Sequence, residues 1–251
     1  INAYSYNRRG LLTGESQSQT GRPTWSLGYG YDVNGNLQSH AYPGNFTVDY
    51  VPNALGQPTQ VGTFATGVVY YPNGAVQQFV YGNGITHDLI QNVRGLPDRS
   101  RDADGLVAIL DDGYDYDANG NVVAISDGLP GNRGNRDMTY DAVDRLLSTS
   151  SPMFGSDPLI RYEYDPLDNL IRMVGRGLDH TYLYDASNRL TNVTNTVGGA
   201  TVVGLGYDLQ GNLTKKNGQL YAFDYGNRLR AATGKETYRY DGQGRRVLAS
   251  A

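Results

Sequence analysis

Apolar positions along the chain alternate with polar ones, and short polar runs interrupt the alternation at intervals. Tyr29 and Tyr31, Tyr114 and Tyr116, Tyr162 and Tyr164, Tyr182 and Tyr184, Tyr221 and Phe223, and Tyr238 and Tyr240 are all i, i+2 pairs. Between them stand Gly30, Asp115, Glu163, Leu183, Ala222 and Arg239, mostly polar or small. A period of two places both rings of a pair on one face of a strand. No segment keeps a helical period over a useful length, so the pattern predicts an all-β chain. After each polar run a Leu or Val returns, but Ile125, Met173 and Val193 fall three residues beyond it. That spacing breaks strict alternation and predicts a second bulge or an early strand end.

The polar runs repeat. Tyr31-Asp32-Val33-Asn34-Gly35-Asn36-Leu37 returns as Tyr116-Asp117-Ala118-Asn119-Gly120-Asn121-Val122 and as Tyr207-Asp208-Leu209-Gln210-Gly211-Asn212-Leu213. Variants start at Tyr140-Asp141, Tyr164-Asp165, Tyr184-Asp185, Phe223-Asp224 and Tyr240-Asp241, the last with Gly244. Position five of the motif is always Gly, Asn or Asp, the residues that most readily take positive φ. Asp at position two suits the first corner of a type I turn, and Pro166 stands at the next corner. The motif therefore reads as a three-residue hairpin loop: a type I turn, then a left-handed bulge residue. In that register the lead Tyr faces the Leu or Val six residues on, and Asp141–Arg145, Asp185–Arg189 and Asp241–Arg245 form exposed polar pairs worth at most ~1 kcal/mol each.

Degenerate copies near Tyr6, Tyr50, Tyr71 and Gln91 extend the series to about twelve units spaced 16 to 25 residues apart. One hairpin cannot bury its apolar face alone, but a series can stack with tyrosine ladders along it. We expect one array over residues 1–251, irregular over 1–110 and regular over 111–251. Gly131-Asn132-Arg133-Gly134-Asn135 and Ser150-Ser151-Pro152 read as loops between units. Both ends look like mid-array units with open strand edges. The expectation is a fragment of a longer chain, or a unit that joins copies end to end.

Composition sharpens this picture. The 251 residues include 33 Gly, 21 Tyr and no Cys, with 39% hydrophobic residues, too few aliphatics for one deep core. Absence of Cys excludes a disulfide framework, a thiolate zinc site and a thiol nucleophile. The net charge of −4 gives no footprint for nucleic acid. Cations are nearly all Arg, which suits planar pairing with Asp and stacking on Tyr. No apolar run reaches the ~18 residues of a membrane span. The chain opens on Ile1 with neither an initiator Met nor a signal peptide, which fits a fragment or a processed product.

Candidate chemistry is sparse. His40, His87 and His180 lie far apart and read as structural. Asp98, Asp102, Asp104, Asp111 and Asp112 surround Gly105, but Ser100 falls at the first position of a calcium loop, so a polar turn explains them better. Glu occurs only at Glu15, Glu163 and Glu236, which leaves few carboxylate pairs for glycoside chemistry. No catalytic residue, metal or cofactor is assigned. Trp25, the single Trp, plugs a gap between units or stacks on a sugar ring, and Tyr29, Tyr114, Tyr162 and Tyr182 are further candidates for glycan stacking.

The repeated motif resembles the YD or Rhs repeat, Tyr-Asp-x-x-Gly-Arg/Asn-Leu, over nearly the whole chain and in eight good copies. That family includes bacterial Rhs and wall-associated polymorphic toxins, the B and C components of insecticidal toxin complexes, and teneurins. The resemblance implies a β-hairpin sheet that spirals into a hollow shell around a C-terminal toxin or other cargo, in a secreted or cell-surface bacterial protein. The family's closing Asp-Pro-x-Gly-Leu segment is absent; Asp157-Pro158-Leu159 and Asp165-Pro166-Leu167 match it only superficially. Self-cleavage and toxin chemistry therefore do not carry over, and the scaffold does. The expected function is a non-enzymatic shell segment with a cargo polypeptide as partner. The alternative is an extracellular carbohydrate-binding or adhesive module, with glycans as partners.

Overall fold

The computed structural model describes residues 1–132 and 134–250. Arg133, in the expected loop 131–135, and Ala251 lie outside the described residues. The described residues form twenty-three β-strands and a single 3-10 turn, Pro152–Phe154. That turn takes up the expected Ser-Pro loop: Ser151 Oγ accepts the Met153 N–H at 3.2 Å.

The chain divides into two compact units, Ile1–Asp117 with Ala124–Asn135, and Ala118–Val123 with Arg136–Ala251. In the first unit, Asn2–Tyr6 through Phe46–Asp49 form a five-stranded sheet in sequence order. Ala65–Tyr70, Val76–Tyr81, Thr86–Gln91, Pro97–Asp104 and Val107–Tyr116 pair serially in a second antiparallel run. In the second unit twelve strands, from Arg136–Tyr140 to Arg246–Ser250, pair each with the next. Alternate connections are motif turns, so within this unit the motif turns share one edge of the meander.

The motif register is as expected. Tyr31 faces Leu37, Tyr140 faces Leu146, Tyr164 faces Leu170, Tyr184 faces Leu190, Tyr207 faces Leu213 and Phe223 faces Leu229. A register shift accompanies each lead residue, such as the one between Glu163 and Tyr164 that skips Ile171. This bulge accounts for the three-residue gap: Met173 returns opposite Tyr162, and Val193 opposite Tyr182.

Two of the degenerate copies start elsewhere than expected. Asn53 N–H bonds to Gln57 C=O, so Pro52 rather than Tyr50 leads that turn. Tyr71 N–H bonds to Ala75 C=O, so Tyr70 leads the next and faces Val76. The early units also close the same turn with Asn at position two. Asn7, Asn53 and Asn92 each accept two backbone N–H groups on Oδ1, two and four residues on.

The core is thin. Among the described residues only Val48, Ala103, Val193 and Ala232 are buried apolar side chains. Packing alone therefore supplies little of what fixes one hairpin against the next, and polar links must contribute.

Candidate functional site

The most ordered chemistry in the molecule is the motif turn. In seven of the regular copies the position-two carboxylate is the hub of its own loop. Asp185 Oδ1 accepts from Ser187 N and Arg189 N at 2.9 Å each, and Oδ2 accepts from Arg189 Nε at 2.8 Å. Asp32, Asp141, Asp165, Asp208, Asp224 and Asp241 repeat this pattern, with Asn or Arg at position six as the side-chain donor. The Asp–Arg pairs expected as exposed cross-strand contacts are thus internal to the loop. Asp satisfies two backbone donors that the turn would otherwise leave open, which is why it is the residue at this place.

A second link joins each hairpin to the one before it. The lead Tyr hydroxyl donates to the backbone carbonyl at position seven of the preceding motif. Tyr31 reaches Leu12, Tyr164 reaches Leu146, Tyr184 reaches Leu170, Tyr207 reaches Leu190 and Tyr240 reaches Leu229, all at 2.8–2.9 Å. Tyr70, Tyr116 and Tyr140 do the same to Pro58, Pro97 and Val122. The acceptor position explains the need. The strand after Leu170 does not begin to pair until Arg172 meets Thr181, so the Leu170 carbonyl has no ladder partner on that side. A hydroxyl on the next ring supplies one. This is a reason for Tyr over Phe that strand periodicity does not reveal.

The third link joins successive turns. Asn121 Nδ2 donates to Asp144 Oδ1 at 2.7 Å, Arg145 Nη1 to Asp168 Oδ1 at 2.7 Å, Asn169 Nδ2 to Asn188 Oδ1 at 2.6 Å and Asn212 Nδ2 to Asn227 Oδ1 at 2.9 Å. Each acceptor sits at position five with φ between 58° and 66°. A non-glycine residue there costs about 1–2 kcal/mol, and the bond from the previous turn offsets part of that. Where position five is Gly211, Arg189 donates instead to the Asp208 carbonyl and lies over the Tyr207 ring at 4.9 Å.

Of the residues expected to stack on glycans, Trp25, Tyr29 and Tyr114 belong to the first unit, and Tyr162 and Tyr182 lie near each other in the second. Trp25 heads a strand with its side chain 60% exposed and fills no gap between units. Tyr29, four residues on, stacks on His40 at 4.6 Å and donates to Glu15 Oε1 at 2.7 Å. Burial, with that carboxylate bond, pushes the Tyr29 hydroxyl up to about 12. Tyr114 is half-buried in the strand Val107–Tyr116. Tyr162 and Tyr182 are half-buried opposite Met173 and Val193. In the acidic stretch Asp111 pairs with Arg99 Nε and Nη2 at 2.6 Å, and Asp102 lies 2.6 Å from His87 Nδ1. Among the described residues no group of three or more His, Asp or Glu is placed to hold a metal.

The family model of the RHS repeat matches residues 184–218, which hold the motifs led by Tyr184 and Tyr207 and the latch between them. Residues 184–218 are thus similar to an RHS repeat. The fold of the chain is similar to that in a crystal structure of TcdB2-TccC3, with a TM-score of 0.67 at 16% identity over 98% of this chain and 16% of the other. It is likewise similar to a Photorhabdus luminescens Tc holotoxin pore bearing a TccC3 mutation, with a TM-score of 0.64 at 16% identity over 96% of this chain and 15% of that one. The chain thus spans about 15% of the length of the solved chains it resembles. No curated protein sequence matches it.

Among the regular units, the one led by Phe223 lacks the latch. Phe223 stands where its neighbours have Tyr, and the carbonyl it would reach is that of Leu213, six residues after Tyr207. Phe223→Tyr is expected to stabilise the array by about 1 kcal/mol, and Tyr184→Phe to destabilise it by about the same amount. Urea melts of both variants check this; equal and opposite-signed shifts are the expected result, and two unchanged midpoints would remove the latch from the account.

Proposed function

We propose that this repeat array is a non-enzymatic wall segment of a longer secreted or cell-surface bacterial protein, and that the wall encloses or carries a cargo or toxin polypeptide of the same chain. The observation that carries the reading is the latch: within the second unit lead tyrosines tie their hairpins to the previous ones, in a serial meander with no deep core of its own. Similarity to a Tc holotoxin pore structure supports the toxin context. The turn carboxylates and the tyrosine hydroxyls, the groups most available for chemistry, are spent on backbone donors and acceptors.

Limited proteolysis of the parent polypeptide tests the proposal. The expected result is that polypeptide following the array survives protease levels that digest the same segment expressed alone. Equal digestion of both would overturn it. Glycan-array binding that disappears in Trp25→Ala would favour the adhesive alternative.

A further inference from the structure

Five Asn-Gly pairs occur in the chain, at Asn34, Asn73, Asn83, Asn119 and Asn217. Such a pair can modify itself, because the glycine has no side chain to keep its backbone nitrogen from the Asn amide carbon. The fold treats the five unequally. Asn73 Nδ2 donates to Gln91 Oε1 at 3.0 Å, and its Oδ1 accepts from Ala75 N at 3.1 Å. Asn83 Oδ1 accepts from Ile85 N at 3.2 Å, and Asn119 Nδ2 donates to Asp144 Oδ1 at 2.8 Å. Asn217 Oδ1 accepts from Gly204 N at 2.6 Å, and its Nδ2 donates to Val202 C=O at 3.2 Å. Asn34 is exposed, and its side chain makes no hydrogen bond with any described residue. Gly35 N–H donates to Asp32 C=O at 3.1 Å, but Gly74 and Gly84 carry the same turn bond at 2.9 and 2.8 Å, so that restraint does not rank the sites.

A second observation falls on the same pair. Arg9 Nη2 donates to the Asn34 carbonyl and Arg9 Nη1 to the Val33 carbonyl, each at 2.9 Å. The Asn34 carbonyl belongs to the peptide whose nitrogen is Gly35 N. A guanidinium on that oxygen stabilises the anion left when Gly35 loses its N–H proton. We infer that Asn34 is a self-modification site, converted to an aspartyl or isoaspartyl residue with Arg9 as the activating cation. The deprotonated Gly35 nitrogen bonds to Asn34 Cγ. The Cγ–Nδ2 bond breaks, and ammonia leaves with a proton from solvent, closing a cyclic imide. Water then opens the imide, so the sum is amide plus water to acid plus ammonia, with no change of oxidation state. Opening at the carbonyl that Arg9 holds gives the isoaspartyl product and frees a carboxylate against the guanidinium. The inference is independent of what the array encloses.

The test is incubation of the folded whole chain at mildly alkaline pH, with proteolytic digestion and mass spectrometry of all five sites over time. Asn34 is expected to convert at least about fivefold faster than any other, since each of those must first break a side-chain hydrogen bond. In urea the ranking is expected to vanish. Arg9→Gln is expected to slow Asn34 about fivefold relative to the other four sites, with Arg9→Lys between the two. A merely structural Arg9 gives the opposite sign, because releasing its clasp loosens the loop and speeds conversion. The other four sites report the fold of each variant, since misfolding accelerates them together, and the wild-type ranking is read without any variant. A folded-state ranking that does not put Asn34 first, a ranking that persists in urea, or Asn34 conversion unchanged or faster in Arg9→Gln would each overturn the assignment.

Discussion

Gly175→Ala is expected to destabilise the array by about 3 kcal/mol and to lower its Tm by roughly 6–12 °C. Gly175 is buried with φ at 146°, just before the Arg176-Gly177 hairpin corner at φ 55° and 71°. A Cβ there would be driven into the Leu159 carbonyl oxygen and would lie 2.9 Å from Ile160 Cα. Both neighbours belong to the adjacent strand, so neither can swing aside as a flexible side chain would. Gly177→Ala separates the two causes. Gly177 also has positive φ, but a Cβ there meets nothing within 4 Å, and its substitution is expected to cost about 1–2 kcal/mol. Thermal melts of the pair check the claim; equal losses would show that backbone conformation alone governs the site.

Acid is expected to unfold the array steeply once the pH falls below the ordinary carboxylate range. At Asp32, Asp165, Asp185 and Asp208 the position-six side chain holds the carboxyl below its ordinary value of 3.8, and at Asp141 and Asp224 the backbone N–H of the same residue does so. The unfolded chain then binds protons that the folded chain refuses. The stabilisation is complete above 3.8 and is lost as the pH falls through the lower folded values. These carboxyls take up extra protons on unfolding, as do Asp111 and Asp179, which their arginine partners lower likewise, so Tm measured from pH 7 to 3 should be flat above about 5 and fall sharply below about 4. Asp185→Asn keeps an acceptor for the two backbone donors, as Asn7, Asn53 and Asn92 do, and is expected to fold with one proton fewer taken up. A Tm that does not respond between pH 5 and 3 would refute the carboxylate-hub account.

The hairpin, its bulge and the Tyr–Leu register were legible because they are encoded within seven consecutive residues. Asp at position two and Gly, Asn or Asp at position five leave few alternatives for the backbone between them. The early units were harder to place because Asn7, Asn53 and Asn92 do the work of Asp, and because Pro52 and Tyr70 lead turns that the spacing of Tyr50 and Tyr71 did not locate. The latch and the turn-to-turn bonds were hidden for a different reason. They join residues 11 to 25 positions apart through connections of variable length, such as Leu229 with Tyr240 or Asn121 with Asp144. Only the folded register brings those partners together.

The bonds between successive turns also make the repeats non-interchangeable. Asn169 has its acceptor because the next unit carries Asn188 at position five; with the unit of Gly211 as neighbour, that donor would face a residue without a side chain. Arg145 is matched in the same way to Asp168. A chain of near-identical hairpins runs a constant danger of pairing out of turn, skipping a unit or borrowing one from another copy. At these junctions a hairpin carries part of the address of its successor, so the serial order of the array is written in part in its polar loops even though its strands are nearly alike.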